Sequence, residues 1–263
     1  MVEMSHFTTG DGCRIAFALD GSGDRPVLML SNSIATSMHM WDGLVERLSQ
    51  RHRVLRYDLR GHGGSAVPPG AYSMPRLGWD VLELLDHLDM ERVSFCGTSI
   101  GGFIGQWLGI HAPERLDRLV LSNTSPYVGP ASQWDELIRQ VRANDIGATA
   151  DMLLDRWFSK PMVERDAETV ARYREMIRQT APDGIAGCLA AVRDADFRRT
   201  ISLVAAPTLV IGGEEDTPTL PAHSRTIEAA VSGAELRFLP GIHMLCAEHP
   251  REYADLVMGF LGG

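Results

Sequence analysis

Lysine is almost missing from this 263-residue chain: Lys160 is the only one among 25 basic residues, and no cluster of arginines replaces it. Thirty-four acidic residues outnumber them. The resulting net charge of −9 opposes attraction to phosphate backbones and anionic lipid surfaces, so neither nucleic acid nor a membrane is expected as a partner. Cysteine is also scarce. Cys13, Cys96, Cys188 and Cys246 lie far apart with no C-x-x-C pair, in a chain much longer than disulfide-dependent scaffolds, which predicts reduced and mostly buried thiols. The histidines and cysteines have no metal-ligand spacing, so no metal is expected. No apolar run reaches the roughly 18 residues of a membrane span. The opening MVEMSHFTTGDG lacks the basic-then-apolar order of a secretory leader, and a cytoplasmic location is expected.

What is present is an ordinary globular composition, 44% hydrophobic and 22% charged. The length suits one large domain with an inserted subdomain and leaves the oligomeric state open. Apolar runs of strand length recur at Arg14–Leu19, Val27–Ser31, Val54–Tyr57, Val93–Cys96, Leu119–Asn123, Thr208–Gly212 and Leu236–Leu239. Segments with apolar residues three and four apart alternate with them, at Trp41–Leu48, Met74–Leu88, Ser99–His111, Pro221–Val231 and Tyr253–Leu261. This alternation predicts an α/β fold with a mostly parallel sheet covered on both faces. From about Ser125 to Ala205 it breaks into helices alone, around Gln133–Arg142, Ala148–Phe158, Glu164–Thr180 and Ile185–Ala195. The expected division is a core of residues 1–124 and 206–263 with a helical cap, 125–205, inserted into it.

The chemistry concentrates where the strand ending at Cys96 runs into Gly97-Thr98-Ser99-Ile100-Gly101, followed by a helix. This is the context of a nucleophile elbow, a strained strand-to-helix turn that needs small residues two before and two after the serine. A serine hydroxyl is too weakly acidic to attack a carbonyl unaided, so a histidine must take its proton and a carboxylate must orient that histidine. On such a sheet both follow the serine, acid first. The strand Thr208–Gly212 leads to Glu214-Glu215-Asp216, of which Asp216 is the shortest and lies furthest beyond the strand, with Glu215 as the alternative. The last strand leads to Pro240-Gly241-Ile242-His243, which makes His243 the general base, with His249 as its competitor beside Pro250. His62, in Asp58-Leu59-Arg60-Gly61-His62-Gly63-Gly64-Ser65, precedes the serine; that run has neither phosphate-loop nor dinucleotide spacing and reads as a structural turn.

Attack on an ester or lactone creates an oxyanion, which two backbone N–H groups stabilise best. Ile100, following the serine, should supply one, and Ile34, in the loop after Val27–Ser31, the other. Asn32 and Ser33 would brace that loop and border the substrate.

These residues resemble the α/β-hydrolase superfamily over nearly the whole chain, and within it the 3-oxoadipate enol-lactonases. Ser31-Asn32-Ser33 stands in place of the His-Gly pair of related hydrolases, followed by Met40-Trp41. Arg56-Tyr57-Asp58-Leu59-Arg60-Gly61-His62-Gly63, Phe95-Cys96-Gly97 and Arg156-Trp157-Phe158 are similar to runs of that branch. The resemblance implies cofactor-free opening of a small cyclic enol-lactone that bears a carboxylate, as in aromatic degradation. An anionic substrate calls for local positive charge, for which Arg156 is the candidate, while Trp157 suits cap core or pocket wall. Thr98 and Ile100 depart from the Leu and Met common beside the lactonase serine, which leaves the exact substrate open. A carboxylesterase, a hydrolase of carbon–carbon bonds in ring-cleavage products, and a non-catalytic receptor on the same fold are the alternatives.

Overall fold

The computed structural model describes residues 4–143 and 145–262. Among them, eight strands form one sheet: β1 (Ser5–Thr8), β2 (Arg14–Asp20), β3 (Val27–Ser31), β4 (Arg53–Tyr57), β5 (Val93–Thr98), β6 (Leu116–Ser122), β7 (Thr208–Gly213) and β8 (Glu235–Leu239). Their order is β1-β2-β4-β3-β5-β6-β7-β8, with β2 antiparallel to both its neighbours and every later pairing parallel. Six helices flank the sheet: α1 (Asp42–Leu48), α2 (Met74–His87), α3 (Ile100–His111), and, numbered after the five described next, α9 (Pro221–Ala230), α10 (Leu245–Glu248) and α11 (Pro250–Leu261). Between β6 and β7 come α4 (Ala131–Ala143), α5 (Ile146–Trp157), α6 (Lys160–Arg165), α7 (Ala167–Gln179) and α8 (Pro182–Asp194).

β5 and β7 are buried along their whole length, as expected of parallel strands covered on both faces. Phe95 and Leu121 face Leu77, Phe103 and Trp107 of α2 and α3, whereas Cys96 and Val120 face the opposite layer, which contains Leu44 of α1 and Tyr253 of α11. The strand β1 was not foreseen, because Phe7 is its only buried residue and no apolar run marks it. The helix expected over Glu164–Thr180 is in fact two. Ser159 caps α6 through Met162, and Asp166, at φ −142° and ψ 65°, ends α6 while its side chain accepts from the Thr169 N–H at the start of α7. A local capping bond outweighs the continuous helical periodicity there.

The helix α8 reaches the turn after β4 by direct backbone contact. A Cβ built on Gly184 would lie 2.1 Å from the Gly61 carbonyl oxygen, and one built on Gly61, at φ +81°, only 2.5 Å from Gly184 Cα. Glycine to alanine inside a helix ordinarily stabilises by up to about 1 kcal/mol. Here the collision is with backbone, and overpacking of this kind costs about 1–3 kcal/mol. Gly184→Ala is therefore expected to lower the thermal midpoint by about 3–10 °C, at roughly 2–4 °C per kcal/mol for a chain of this size. A calorimetric scan that finds the midpoint unchanged or raised would contradict the contact.

Candidate active site

β5 turns into α3 at Ser99, whose backbone takes φ 59° and ψ −117°. A non-glycine residue in that region is strained and must be held by its surroundings. The Ser99 N–H donates to the Ser122 carbonyl at 3.0 Å, and the Ser99 carbonyl accepts from Thr124 Oγ1 at 2.9 Å. The glycines on either side are required by close backbone: a Cβ on Gly97 would lie 2.1 Å from the Gly101 carbonyl oxygen, and one on Gly101 2.3 Å from that of Ser31. The turn thereby presents the Ser99 side chain, half-buried, at the carboxyl end of the sheet.

β7 delivers the acid at the same edge. Glu214 and Glu215 are exposed, whereas Asp216 turns inward and is 2% exposed. Four groups meet its carboxylate. Asn123 Nδ2 donates to Oδ2 at 2.8 Å, Thr219 Oγ1 to Oδ2 at 2.7 Å, and the Thr219 N–H to Oδ1 at 3.1 Å. His243 Nδ1 lies 3.1 Å from both oxygens. His243 follows β8 on a loop whose two N–H groups, of His243 and Met244, donate to the Trp157 carbonyl at 3.2 and 3.1 Å. Asn123, at φ 44°, also donates to the Ile242 carbonyl at 3.0 Å, so one side chain fixes both acid and histidine loop. With Nδ1–H turned to Asp216, Nε2 is the free, basic side of the His243 ring. Ser99 and His243 are not hydrogen-bonded to each other in this structure; such contacts are commonly long before a substrate binds.

Burial alone would raise the Asp216 carboxyl, but the adjacent His243 imidazole, with hydrogen bonds from His243, Asn123 and Thr219, outweighs it and holds the group below the ordinary value of 3.8. A depressed carboxyl contributes stability that is fully present above the unfolded value and is lost as pH falls through the folded one. Thr219→Val removes one donor, brings the folded value closer to the unfolded one, and leaves less of that contribution at every pH above it. Acid unfolding of Thr219→Val, followed by circular dichroism, is accordingly expected to begin at higher pH than in the wild type; coincident transitions would refute the assignment.

The loop after β3 approaches the elbow. The Asn32 amide is buried and bridges the loop to the sheet, donating to the Tyr57 carbonyl at 2.8 Å and accepting from Trp41 Nε1 at 2.8 Å. Ser33 Oγ is buried without a partner. Among the described residues, neither the Ile34 N–H nor the Ile100 N–H has a protein acceptor. Two unclaimed donors thus accompany a serine on a strained turn and a buried Asp–His pair.

The family described as alpha/beta hydrolase fold matches residues 26–250. The chain belongs to the α/β-hydrolase fold family. It is 34% identical to 3-oxoadipate enol-lactonase 2 of Acinetobacter baylyi over 95% of this chain and 93% of that protein. A solved hydrolase from Pseudomonas aeruginosa superposes with a TM-score of 0.97 at 48% identity, covering 99% of both chains. The enol-lactonase of Burkholderia xenovorans does so at 0.96 and 34% identity, over 98% of this chain and all of that one.

Arg156 and Trp157, both on α5 of this hydrolase, differ in burial. The side chain of Arg156 is not brought to the Ser99, Asp216 and His243 set: it is exposed and lines a groove of about 520 Å³ between α4 and α5 with Trp134, Leu137, Gln140 and Met152. The reason is helical phase, since Ala150, Leu154 and Trp157 occupy the buried face of α5 and Arg156 points away from it. Trp157 is core, 2% exposed, and meets the site through its carbonyl rather than its ring. His249 is half-buried at the start of α11 and takes no part. Asn123 and Thr219 were missed. The only traces in the sequence are an asparagine at a strand end, the residue type that best tolerates positive φ, and the Asp-x-x-Thr spacing of a local side-chain turn. No helix among the described residues is long and apolar enough to cross a membrane.

Proposed function

We propose that this α/β-hydrolase opens a small carboxylate-bearing enol-lactone through an acyl-enzyme, with Ser99 as nucleophile, His243 as general base and Asp216 as the group that orients it. The observation that carries the reading is the buried Asp216–His243 pair, its Nδ1 committed to the carboxylate, at the same sheet edge as a serine strained at φ 59°. Ser99 Oγ adds to the lactone carbonyl while its proton passes to His243 Nε2. The Ile34 and Ile100 N–H groups receive the oxyanion. As the tetrahedral intermediate collapses, the ring C–O bond breaks and His243 returns the proton to the enolate oxygen or carbon, which leaves a ketone after tautomerisation. Water, deprotonated by His243, then releases the acid and restores Ser99.

The enol-lactone substrate is supported by the two enol-lactonase relatives, each at 34% identity across almost the whole chain. Asp216 stabilises the imidazolium formed in each half-reaction, which a neutral neighbour could not do. The cytoplasm suits a chain whose four cysteines are unpaired and buried.

A substrate panel tests the reading. Turnover of 3-oxoadipate enol-lactone is expected with kcat/KM within the usual enzymatic range of about 10⁴–10⁸ M⁻¹s⁻¹ and well above that of simple aryl esters. Rapid ester cleavage with no lactone opening would make the protein a carboxylesterase instead. Failure of a fluorophosphonate to label Ser99, with no turnover of any substrate, would leave only a receptor role.

A further inference from the structure

His62 belongs to a glycine-rich turn that the catalytic reading leaves without a task, yet it is 1% exposed and touches the loop that carries Ile34. The Ala35 N–H donates to His62 Nε2 at 2.9 Å, and His62 Nδ1 lies 3.1 Å from the Arg60 carbonyl. These partners fix the tautomer: Nε2 must accept and therefore carries no proton, while Nδ1–H donates to Arg60. Ala35 sits at φ 57°, a region an alanine rarely occupies, directly after Ile34. Something must hold it there. A second group of the same turn grips the far end of the loop, since Asp58 Oδ1 accepts from the Met38 N–H at 2.6 Å and its Oδ2 from the Gly64 N–H at 2.8 Å. Within the loop, Thr36 Oγ1 donates to the Ser33 carbonyl at 2.7 Å.

We propose that His62 is a positioning residue for the oxyanion site: its neutral imidazole holds the Ala35 amide through Nε2, keeps that residue in the left-handed region, and so aims the preceding Ile34 N–H. This rests on Ile34 being an oxyanion donor. A turn histidine with a purely structural role needs only to close its own turn, which the Nδ1 bond to Arg60 does. The Nε2 bond leaves the turn and reaches across 27 positions of sequence to Ala35. Burial lowers the ring to about 4, against a smaller opposing effect of the Arg60 carbonyl, so Nε2 stays an acceptor at neutral pH. A protonated ring would present a second donor to the Ala35 N–H and release the loop.

Two substitutions separate the two nitrogens. The amide of His62→Gln extends far enough to offer its oxygen to Ala35 and loses the Arg60 bond; that of His62→Asn is shorter, can keep a donor near the Arg60 carbonyl, and cannot reach Ala35. kcat and KM for 3-oxoadipate enol-lactone are measured on folded protein, alongside the affinity of an alkyl boronic acid, whose tetrahedral adduct on Ser99 mimics the oxyanion. His62→Asn should lose about 10- to 100-fold in kcat, short of the roughly 10²–10³ for deleting an oxyanion donor outright, with KM nearly unchanged and boronate affinity falling in parallel. His62→Gln should stay within about threefold of wild type in all three. Equal losses in both variants, or a larger loss in His62→Gln, would overturn the proposal. Should His62→Asn fail to fold, His62→Gln decides alone: retained kcat and boronate affinity support it, and their loss in a folded protein refutes it. Failure of the underlying catalytic reading looks different, because the wild type itself would then neither turn over the lactone nor bind the boronate.

Discussion

Ser99→Ala is expected to reduce lactone turnover by about a millionfold while leaving the protein folded and able to bind its substrate. On the proposed mechanism the loss is so large because the alanine removes the atom that would form the acyl-enzyme, which leaves His243 and Asp216 no hydroxyl to activate. The residual rate then comes from oxyanion stabilisation and binding alone, which still exceed the uncatalysed reaction by about 10³–10⁴. Alanine should also relieve nothing essential in the backbone, since φ 59° is as unfavourable for alanine as for serine and the bonds to Ser122 and Thr124 are made by main-chain atoms of residue 99. An unchanged thermal midpoint together with the rate loss is the expected pair of results. A loss of less than about 100-fold would exclude Ser99 as nucleophile, because removal of any member acting as a unit costs far more than that.

Asp216→Asn carries the second large effect, about 10⁴-fold in kcat. The substitution keeps shape but changes what the site can accept. Asn123 Nδ2, Thr219 Oγ1, the Thr219 N–H and His243 Nδ1 all converge on the two carboxylate oxygens. An amide supplies one oxygen and one NH2, so half of these donors would face another donor. The simplest escape is for the imidazole to move its proton to Nε2 and accept at Nδ1, which blocks the side that must deprotonate Ser99. KM should change little, because no bound atom of the substrate touches Asp216 in this scheme. A pH–rate profile of Asp216→Asn in which activity recovers at alkaline pH would agree with that tautomer trap; wild-type activity at neutral pH would remove Asp216 from the mechanism.

Legibility in the sequence followed the range of the forces involved. The elbow could be read because everything it needs is local, namely a strand, two glycines at fixed offsets and a helix. Asp216 and His243 could be read because each lies just beyond a strand of a parallel sheet, where topology brings separate loops to one edge. Of the acids after β7, the one furthest past the strand, Asp216, turns inward, and Glu215 is left exposed. Asn123 was invisible because its partner stands 93 residues away, and only the finished sheet places β6 beside β7. The exposed position of Arg156 could not be read, because a motif specifies neighbours along the chain but not which side of α5 meets the core. β1 offered a single buried phenylalanine, too little for a periodic signal.

The Trp157 carbonyl, at the end of α5, accepts the N–H groups of both His243 and Met244, and buried Glu248 joins the Ser159 N–H to the Ile242 N–H from the other side. The end of α5 is therefore fastened to the strip of chain that carries His243. A substrate that gained access by lifting α5 would break those bonds, at about 1 kcal/mol each or more where the carboxylate is involved, and would drag the imidazole out of register with Asp216 as it did so. The end of α5 and the Asp216–His243 pair thus form one mechanical unit, in which neither shifts without the other.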